Sequence, residues 1–499
     1  MRENLESTSA RETLERAEEL FGTLADATTL VWWTRDLRTG RVMYVSPGFE
    51  ALWEAPCEEL YQRTAVWQER VHPDDRARVI AKFSAIASTG QAEEVYRLVL
   101  PSGKRRWIRD RGILMHRGSE PSHIAGLAED ITEARTAQIR LAVQHMVIKI
   151  LAEGGTPEDA FPRVIEAMAD PLEWTTASLW LVDAETNTLR CESSWRQGSS
   201  DHRAQEEPAR RARLAPGESL AGRAWMERQP VFESALGADP HASAEFRRRV
   251  AASLPGVKSA AAFPIQAGDQ LLGVLDFSGT DAGIPEAELV RTVTALARQI
   301  GLWLERARAD EEARLETLKL KIVNRALTTY LASMSWQRAA DEVLKGALEL
   351  TESPLGFFGV VVGGVTLRVL SWSGLVWDEV VNREFYEAVV ARSEEEGHLD
   401  FPVGRNLFSL VIVERATVLA NEPPKHAGSG GLPPGHPPLT AFLGVPILQG
   451  DEVVGVLGMG NRPGGYTAAL RGELEALGAL AGVLCQHYLA GGLAPAADR

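Results

Sequence analysis

The sequence predicts an α+β fold made of three modules, each an antiparallel sheet flanked by helices, joined by long helical linkers. Three observations predict it. A chain of 499 residues exceeds what one core holds and suits about three ordinary domains. Two gapless stretches align, Pro264 to Leu275 (PIQAGDQLLGVL) and Pro446 to Leu457 (PILQGDEVVGVL), so part of the chain is duplicated. Between the copies runs Gln299 to Ala326, which has no Pro and, after Gly301, no Gly. Its apolar residues Ile300, Leu304, Ala307, Leu315, Leu318 and Ile322 follow helical steps, and Glu311 interrupts that stripe. An amphipathic stripe with no other partner predicts pairing in a homodimer, weakened at Glu311 by a coiled-coil stutter.

Composition narrows the function classes. The net charge of −15 argues against a general affinity for nucleic acid or an anionic membrane. Cys57, Cys191 and Cys485 lie far apart and form no CxxC, which fits a reducing cytosol and indicates neither disulfide framework nor zinc cluster. No apolar run of about 18 residues is present, so neither membrane insertion nor export is expected, and the protein is placed in the cytoplasm.

In order, residues 1–27 read as an amphipathic helix and 28–132 as the first α/β module. Val31–Thr34 and Arg41–Val45 are strand-like across a turn at Asp36–Gly40. Pro73 suits the first position of a helix whose N-terminus Asp74 and Asp75 complement. Three strands follow, Glu93–Leu100, Arg105–His116 and Ser122–Asp130. A helical linker spans 133–153, a second module 154–298, the long linker 299–326, a third module 327–490 and a flexible tail 491–499. Within the second module a basic helix is expected over Ala244–Ser253. Gly268-Asp269 and Gly450-Asp451 supply equivalent hairpin turns in the two copies. The Pro- and Gly-rich stretch Asn421–Pro438 reads equally as a loop or as a defined lid.

Four motifs in the first module resemble the PAS domain of sensor proteins: Tyr44 to Phe49 (YVSPGF), Val71 to Arg76 (VHPDDR), Tyr96-Arg97 with Gly103 to Trp107, and Gly126 to Glu133 (GLAEDITE). The resemblance implies that Asp-Ile-Thr closes the last strand and opens an output helix, with Asp130 or Thr132 as its cap. The duplicated module resembles the GAF domain. In the first copy this rests on Gly217 to Trp225, Gln229 to Val231, Gly256 to Ser259 and Phe263 to Ile265. In the second it rests on Gly431 to Leu439 (GLPPGHPPL), Phe442 to Ile447 and Asn461 to Thr467, a pattern similar to the GAF variant of bacterial two-component sensors. The resemblances cover most of the chain and imply a PAS–GAF–GAF sensor.

No catalytic constellation is legible. Sensors of this resemblance often feed a histidine kinase. Here His145 lacks the flanking acidic and Arg residues of a phospho-acceptor, and no ATP-binding boxes follow it. Gly455–Gly465 lacks the ending of a phosphate loop and reads as strand-end glycines. Neither Cys191 nor Cys485 suits a covalent bilin, and Cys57 is not in the setting of a flavin adduct. Haem through His72 or His436 stays open, although both lie in Pro-flanked turns or caps. No metal site is indicated.

What remains is a small-molecule pocket. Candidate lining residues are Tyr44, Phe49, Trp53 and Trp107 in the first module. Trp180, Trp195, Trp225 and Phe263 are candidates in the second, and Trp372, Trp377, Phe408, His436 and Phe442 in the third. Strand aromatics are more often core than ligand contacts. The expected function is cytoplasmic sensing of a small molecule, redox change or partner. Helical linkers would pass the signal to an output protein, a histidine kinase or response regulator in trans. A divergent or truncated histidine kinase and a ligand-free dimerisation scaffold are the alternatives.

Overall fold

The computed structural model describes residues 29–198, 212–233, 257–280, 286–373, 387, 391, 395–432 and 438–491. The expected helices over 1–27 and Ala244–Ser253 lie outside these. The chain divides into two compact units that meet at Glu305 and Arg306.

The first unit opens with a five-stranded antiparallel sheet in the order β2-β1-β5-β4-β3. Its strands are β1 (Val31–Asp36), β2 (Val42–Val45), β3 (Gln91–Val99), β4 (Arg105–Arg117) and β5 (Glu120–Asp130). The connection from β2 to β3 carries five short helices: α1 (Gly48–Trp53), α2 (Cys57–Gln62), α3 (Val66–Glu69), α4 (Pro73–Ser84) and α5 (Ile86–Thr89). They cover one face of the sheet, and Phe49, Trp53, Val79, Phe83 and Ile86 join its core.

Helix α4 begins at Pro73, as the sequence predicts, because His72 caps it with Nδ1 accepting from the Asp74 N–H at 3.3 Å. Asp75 does more than complement the helix dipole. Its carboxylate accepts from Arg97 Nε at 2.9 Å, Nη2 at 3.1 Å and the backbone N–H at 3.0 Å, tying α4 to β3. Burial alone would raise its pKa, but the Arg97 hydrogen bonds outweigh it and hold the group at about 2. A depressed carboxylate stabilises the fold above its unfolded pKa near 4 and loses that contribution as pH falls through 2. Asp75→Asn is therefore expected to cost about 2 kcal/mol at neutral pH and nothing near pH 2. Amide exchange in α4 and β3 of both proteins across that range checks it.

After β5, helix α6 (Thr132–Ala152) leads into a six-stranded sheet of order β8-β7-β6-β11-β10-β9. Its strands are β6 (Thr176–Asp183), β7 (Thr188–Arg196), β8 (Arg213–Leu214), β9 (Val231–Glu233), β10 (Ser259–Ala267) and β11 (Gln270–Gly279). One face packs on the end of α6, on α7 (Pro157–Ala169) and on the start of the long helix α9 (Ala287–Ser333). The opposite face holds α8 (Ser219–Glu227).

The second unit repeats this plan. Its sheet runs β14-β13-β12-β17-β16-β15, the same order with every strand advanced by six. The strands are β12 (Leu355–Val362), β13 (Thr366–Ser373), β14 (Leu399–Pro402), β15 (Val418–Ala420), β16 (Phe442–Gln449) and β17 (Glu452–Gly460). One face packs on Ile322 and Ala326 of α9, on α10 (Trp336–Thr351) and on α12 (Ala468–Gly491), and the other holds α11 (Leu407–Glu414). Gly268 and Gly450 turn the two aligned hairpins at φ +56° and +57°, a region open to glycine. Within the stretch read as loop or lid, Gly428 and Gly430 lie too close to Leu410 and the Arg405 carbonyl to admit a Cβ. That part therefore packs against α11.

A long helix joins the second and third modules as expected, but the dimer seam assigned to its stripe needs correction. The helix is longer than 299–326 at both ends, and its apolar stripe is not free. Ile300 and Leu304 are buried in the core of the second module, and Ile322 in that of the third, with Leu315 and Leu318 packed beside it. Glu311 is exposed and pairs with Arg314 at 2.7 Å instead of interrupting a seam. Two sheets in the same chain consume the apolar residues that periodicity alone assigned to a dimer partner. Lys319 is buried between Glu316 at 2.6 Å and Glu473 at 3.0 Å, which fastens α9 to α12. Among the described residues, no helix is long and apolar enough to cross a membrane, and no cluster of His, Cys, Asp or Glu is placed to hold a metal.

Candidate functional site

The cavity lies in the first module, between the sheet and its short helices. Val31, Trp33 and Arg35 alternate along β1 and so face it together. From β2 come Val42 and Val45, three apart, because the register slips between Thr34 and Arg35 of β1, so that Tyr44 pairs Thr34 and Val42 pairs Arg35. The helices add Phe49, Trp53, Leu60, Trp67 and Phe83, the loop adds Thr64, and β4 adds Asp110. Phe49 and Trp53 stack at 5.0 Å, and Phe83 meets Trp33 and Trp67 at 6.0 and 6.1 Å. The space open to water-sized molecules is about 50 Å³. One water needs about 10–15 Å³ by such a measure, so this is room for about four waters, close to one aromatic ring.

Asp110 forms part of the wall. It is buried, and its two oxygens accept from Trp33 Nε1 and from the Tyr96 hydroxyl, each at 2.9 Å. Burial pushes its pKa up to about 7, against the opposing pull of those hydrogen bonds. The Tyr96 phenol is raised as well, by burial and by the neighbouring Asp110. Trp33 reaches Asp110 across two glycines. A Cβ on Gly126 would stand 2.2 Å from the Trp33 ring, and one on Gly112 would stand 3.2 Å from it.

Two cavity donors lack strong acceptors. The Trp53 indole N–H is buried and has no partner among the described residues. Among the described residues Arg35 reaches only the Phe83 carbonyl, at 3.5 Å from Nη2, and burial lowers its pKa. An unpaired buried donor costs free energy, so each favours an acceptor in the cavity.

Trp107 lies on the same strand as Asp110, at the exit of the module. The guanidinium groups of Arg135 and Arg97 lie over its ring, 4.0 and 5.8 Å from the centroid. The backbone N–H of Trp107 donates to the Thr132 hydroxyl at 2.8 Å, and Asp130 Oδ1 accepts the Thr132 N–H at 2.9 Å and hydroxyl at 2.5 Å. Ile131 stands at the cap position of α6, and Asp130, one residue earlier, takes the free N–H of Thr132. Strand β4 thus touches both the cavity and the first turn of the exit helix. Arg105, also on β4, pairs with Glu173 at 2.9 Å, at the end of α7.

Of the residues singled out in the sequence, Phe49 and Trp53 line the cavity, Tyr44 is turned away by the register slip, and Trp107 sits at the exit junction. In the second module Trp180 and Trp225 lie on the α8 face, whereas Trp195 and Phe263 belong to the core on the opposite face. The four therefore do not share one pocket. In the third module Trp372, Phe408 and Phe442 gather on the α11 face. Trp377 and His436 lie outside the described residues. Sequence reasoning missed Trp33, Arg35, Trp67, Phe83 and Asp110. Alternation along β1 could have found Trp33 and Arg35. Asp110, between Arg109 and Arg111, carried no signal, because it reads as one more charge on a solvated strand.

Comparison with known proteins follows the same division. The GAF domain family matches residues 155–305 and 333–485, more than half of the chain, and the PAS fold matches 42–128. The two-component sensor PprA of Pseudomonas aeruginosa is 29% identical over 34% of this chain and 20% of its own length. The methyl sulfide methyltransferase-associated sensor of Methanosarcina acetivorans is 25% identical over 35% of this chain and 16% of its own length. The chain thus spans a fifth or less of these curated relatives. Bacteriophytochrome RpBphP3 of R. palustris, in its crystal structure, is 13% identical with a TM-score of 0.40, over 88% of this chain and 87% of that one. The chain therefore belongs to the GAF domain family, with two GAF domains preceded by a PAS fold.

Proposed function

We propose that the chain is a cytoplasmic sensory component of signal transduction, in which the PAS cavity receives a small molecule. The observation that carries this reading is an aromatic cavity whose wall strand, β4, also holds the first turn of α6 through Trp107, Thr132 and Arg135. Its similarity to two curated sensors supports the same reading. Occupation of the cavity shifts β4, and the junction passes the shift to α6. That shift cannot exceed the ligand's differential affinity for the two states. The modules are proposed to act as units over 28–132, 154–298 and 327–490, with the output on a histidine kinase or response regulator in trans.

A homodimer belongs to this proposal, but on a different face of α9 from the packed stripe. Leu320 and Leu331 are exposed three helical turns apart on α9, and Met334, just past its end, is exposed too. A monomer by sedimentation at tens of micromolar would remove this part.

The sensory reading is tested by mass spectrometry of the natively purified protein, followed by amide exchange. A co-purified small molecule whose removal speeds exchange in the first turns of α6 is the expected result. No bound molecule, or removal without change at 132–152, would overturn it.

A further inference from the structure

We propose that the PAS cavity is built for a small aromatic carboxylate, with its ring among Trp33, Trp67 and Phe83 and its carboxylate on Arg35 and Trp53 Nε1. This rests on the sensory reading of the same cavity and adds the chemical class of the ligand.

Size and shape come first. The free space is that of about one ring, and the walls are tryptophan, phenylalanine and aliphatic side chains. Trp33, Phe83 and Trp67 already touch in tilted and edge-on contacts at 6.0 and 6.1 Å, so together they form one aromatic wall against which another flat ring can pack. Charge decides the rest. Arg35 is the cation of the cavity, and among the described residues no carboxylate pairs with it. The Trp53 side chain is 3% exposed, yet its N–H has no acceptor. An acceptor-rich anion would answer both, and a guanidinium binds a carboxylate through two parallel hydrogen bonds. Asp110 argues less strongly for a cation than its charge suggests, because Trp33 and Tyr96 already occupy an acceptor site on each oxygen. A wholly apolar ligand would leave the Trp53 donor unpaired and the Arg35 charge desolvated.

Three monosubstituted benzenes of similar size separate the charge classes: benzoate, toluene and benzylamine, which is protonated at neutral pH. Each is titrated into the full chain while tryptophan emission is followed, since three tryptophans line the cavity. Benzoate is expected to bind saturably. Arg35→Met should weaken it at least tenfold, Arg35→Lys should restore part of the loss, and Arg38→Met, on the exposed turn, should leave it unchanged. Equal amide-exchange protection along β1 and β4 in the Arg35 variants excludes loss of the fold as the cause. Toluene bound as tightly as benzoate, with no effect of Arg35→Met, would overturn the carboxylate class and leave a sensing cavity for neutral molecules. Preference for benzylamine, abolished by Asp110→Asn, would overturn it in favour of a cation. Binding of none of the three also overturns the ligand class. The sensory reading is then judged by its co-purified molecule and the exchange of α6.

Discussion

Replacing Asp110 with Asn is expected to remove a decline in stability that the PAS module otherwise shows between about pH 4 and pH 7, and to make it more stable above that range. The carboxyl titrates at about 7 in the folded module and near 4 when unfolded. Over that window the folded state holds a proton that the unfolded state has released, so stability falls as pH rises. The full difference approaches about 4 kcal/mol, an upper bound because the flanking hydrogen bonds strengthen as the group ionises. Asn keeps the shape. Its oxygen can accept from Trp33, and its amide can donate to the Tyr96 oxygen, which both gives and takes hydrogen bonds. Asp110→Leu, by contrast, strands both buried donors and should destabilise at every pH. Several modules share the chain, so a single melting temperature is not a two-state quantity. Amide exchange along β1 and β4 isolates the relevant module. The idea fails if wild type and Asp110→Asn show the same slope of protection with pH.

The second large effect concerns Gly301 on α9. A glycine inside a helix normally costs about 1 kcal/mol relative to Ala, so a substitution on helix propensity alone should stabilise. Here the added Cβ would stand 2.3 Å from the Gln266 carbonyl oxygen and 2.7 Å from its carbon, which are backbone atoms of β10. Backbone cannot swing aside as a flexible side chain can. Relief would require α9 to lift off the hairpin that buries Ile300 and Leu304. Overpacking of this kind costs about 1–3 kcal/mol, and more when a helix must move, so the steric effect wins. Gly301→Ala is expected to destabilise the first GAF domain by about 2 kcal/mol net, and Gly301→Leu by more. Gly472 on α12 supplies the control. Nothing lies within 4 Å of its would-be Cβ, so Gly472→Ala should stabilise by up to about 1 kcal/mol. Opposite signs for two glycine-to-alanine changes in helices would be read from exchange in each GAF domain. The same sign at both positions would refute the close-approach argument.

Local rules located most elements. Strand-like runs located the strands of the first sheet, and Pro73 marked the start of α4. The repeat around Gly268-Asp269 and Gly450-Asp451 anticipated two sheets of one topology. In the cavity, Phe49 and Trp53 were legible because they sit on a short helix beside a recognisable motif. Tyr44 was misplaced because the register slip in β2 reverses the expected side, and a slip of one residue leaves no mark in composition.

What the chain determined by itself is therefore the number and type of modules, their order and their turns. The turns and elements follow from propensity, periodicity and glycine geometry, which act over a few residues, the number of modules follows from length and the repeat, and their type follows from motifs that resemble PAS and GAF domains. Only the tertiary structure decided where α9 spends its apolar stripe. A helical stripe states that a partner exists, not whether that partner is another chain or a sheet of the same chain. The same holds for Asp110. Its neighbours in sequence are arginines, whereas Trp33 and Tyr96, 77 and 14 residues away, turn a surface-like aspartate into a buried acceptor. Charge, burial and titration belong to the three-dimensional neighbourhood, because solvation depends on what surrounds a group in space.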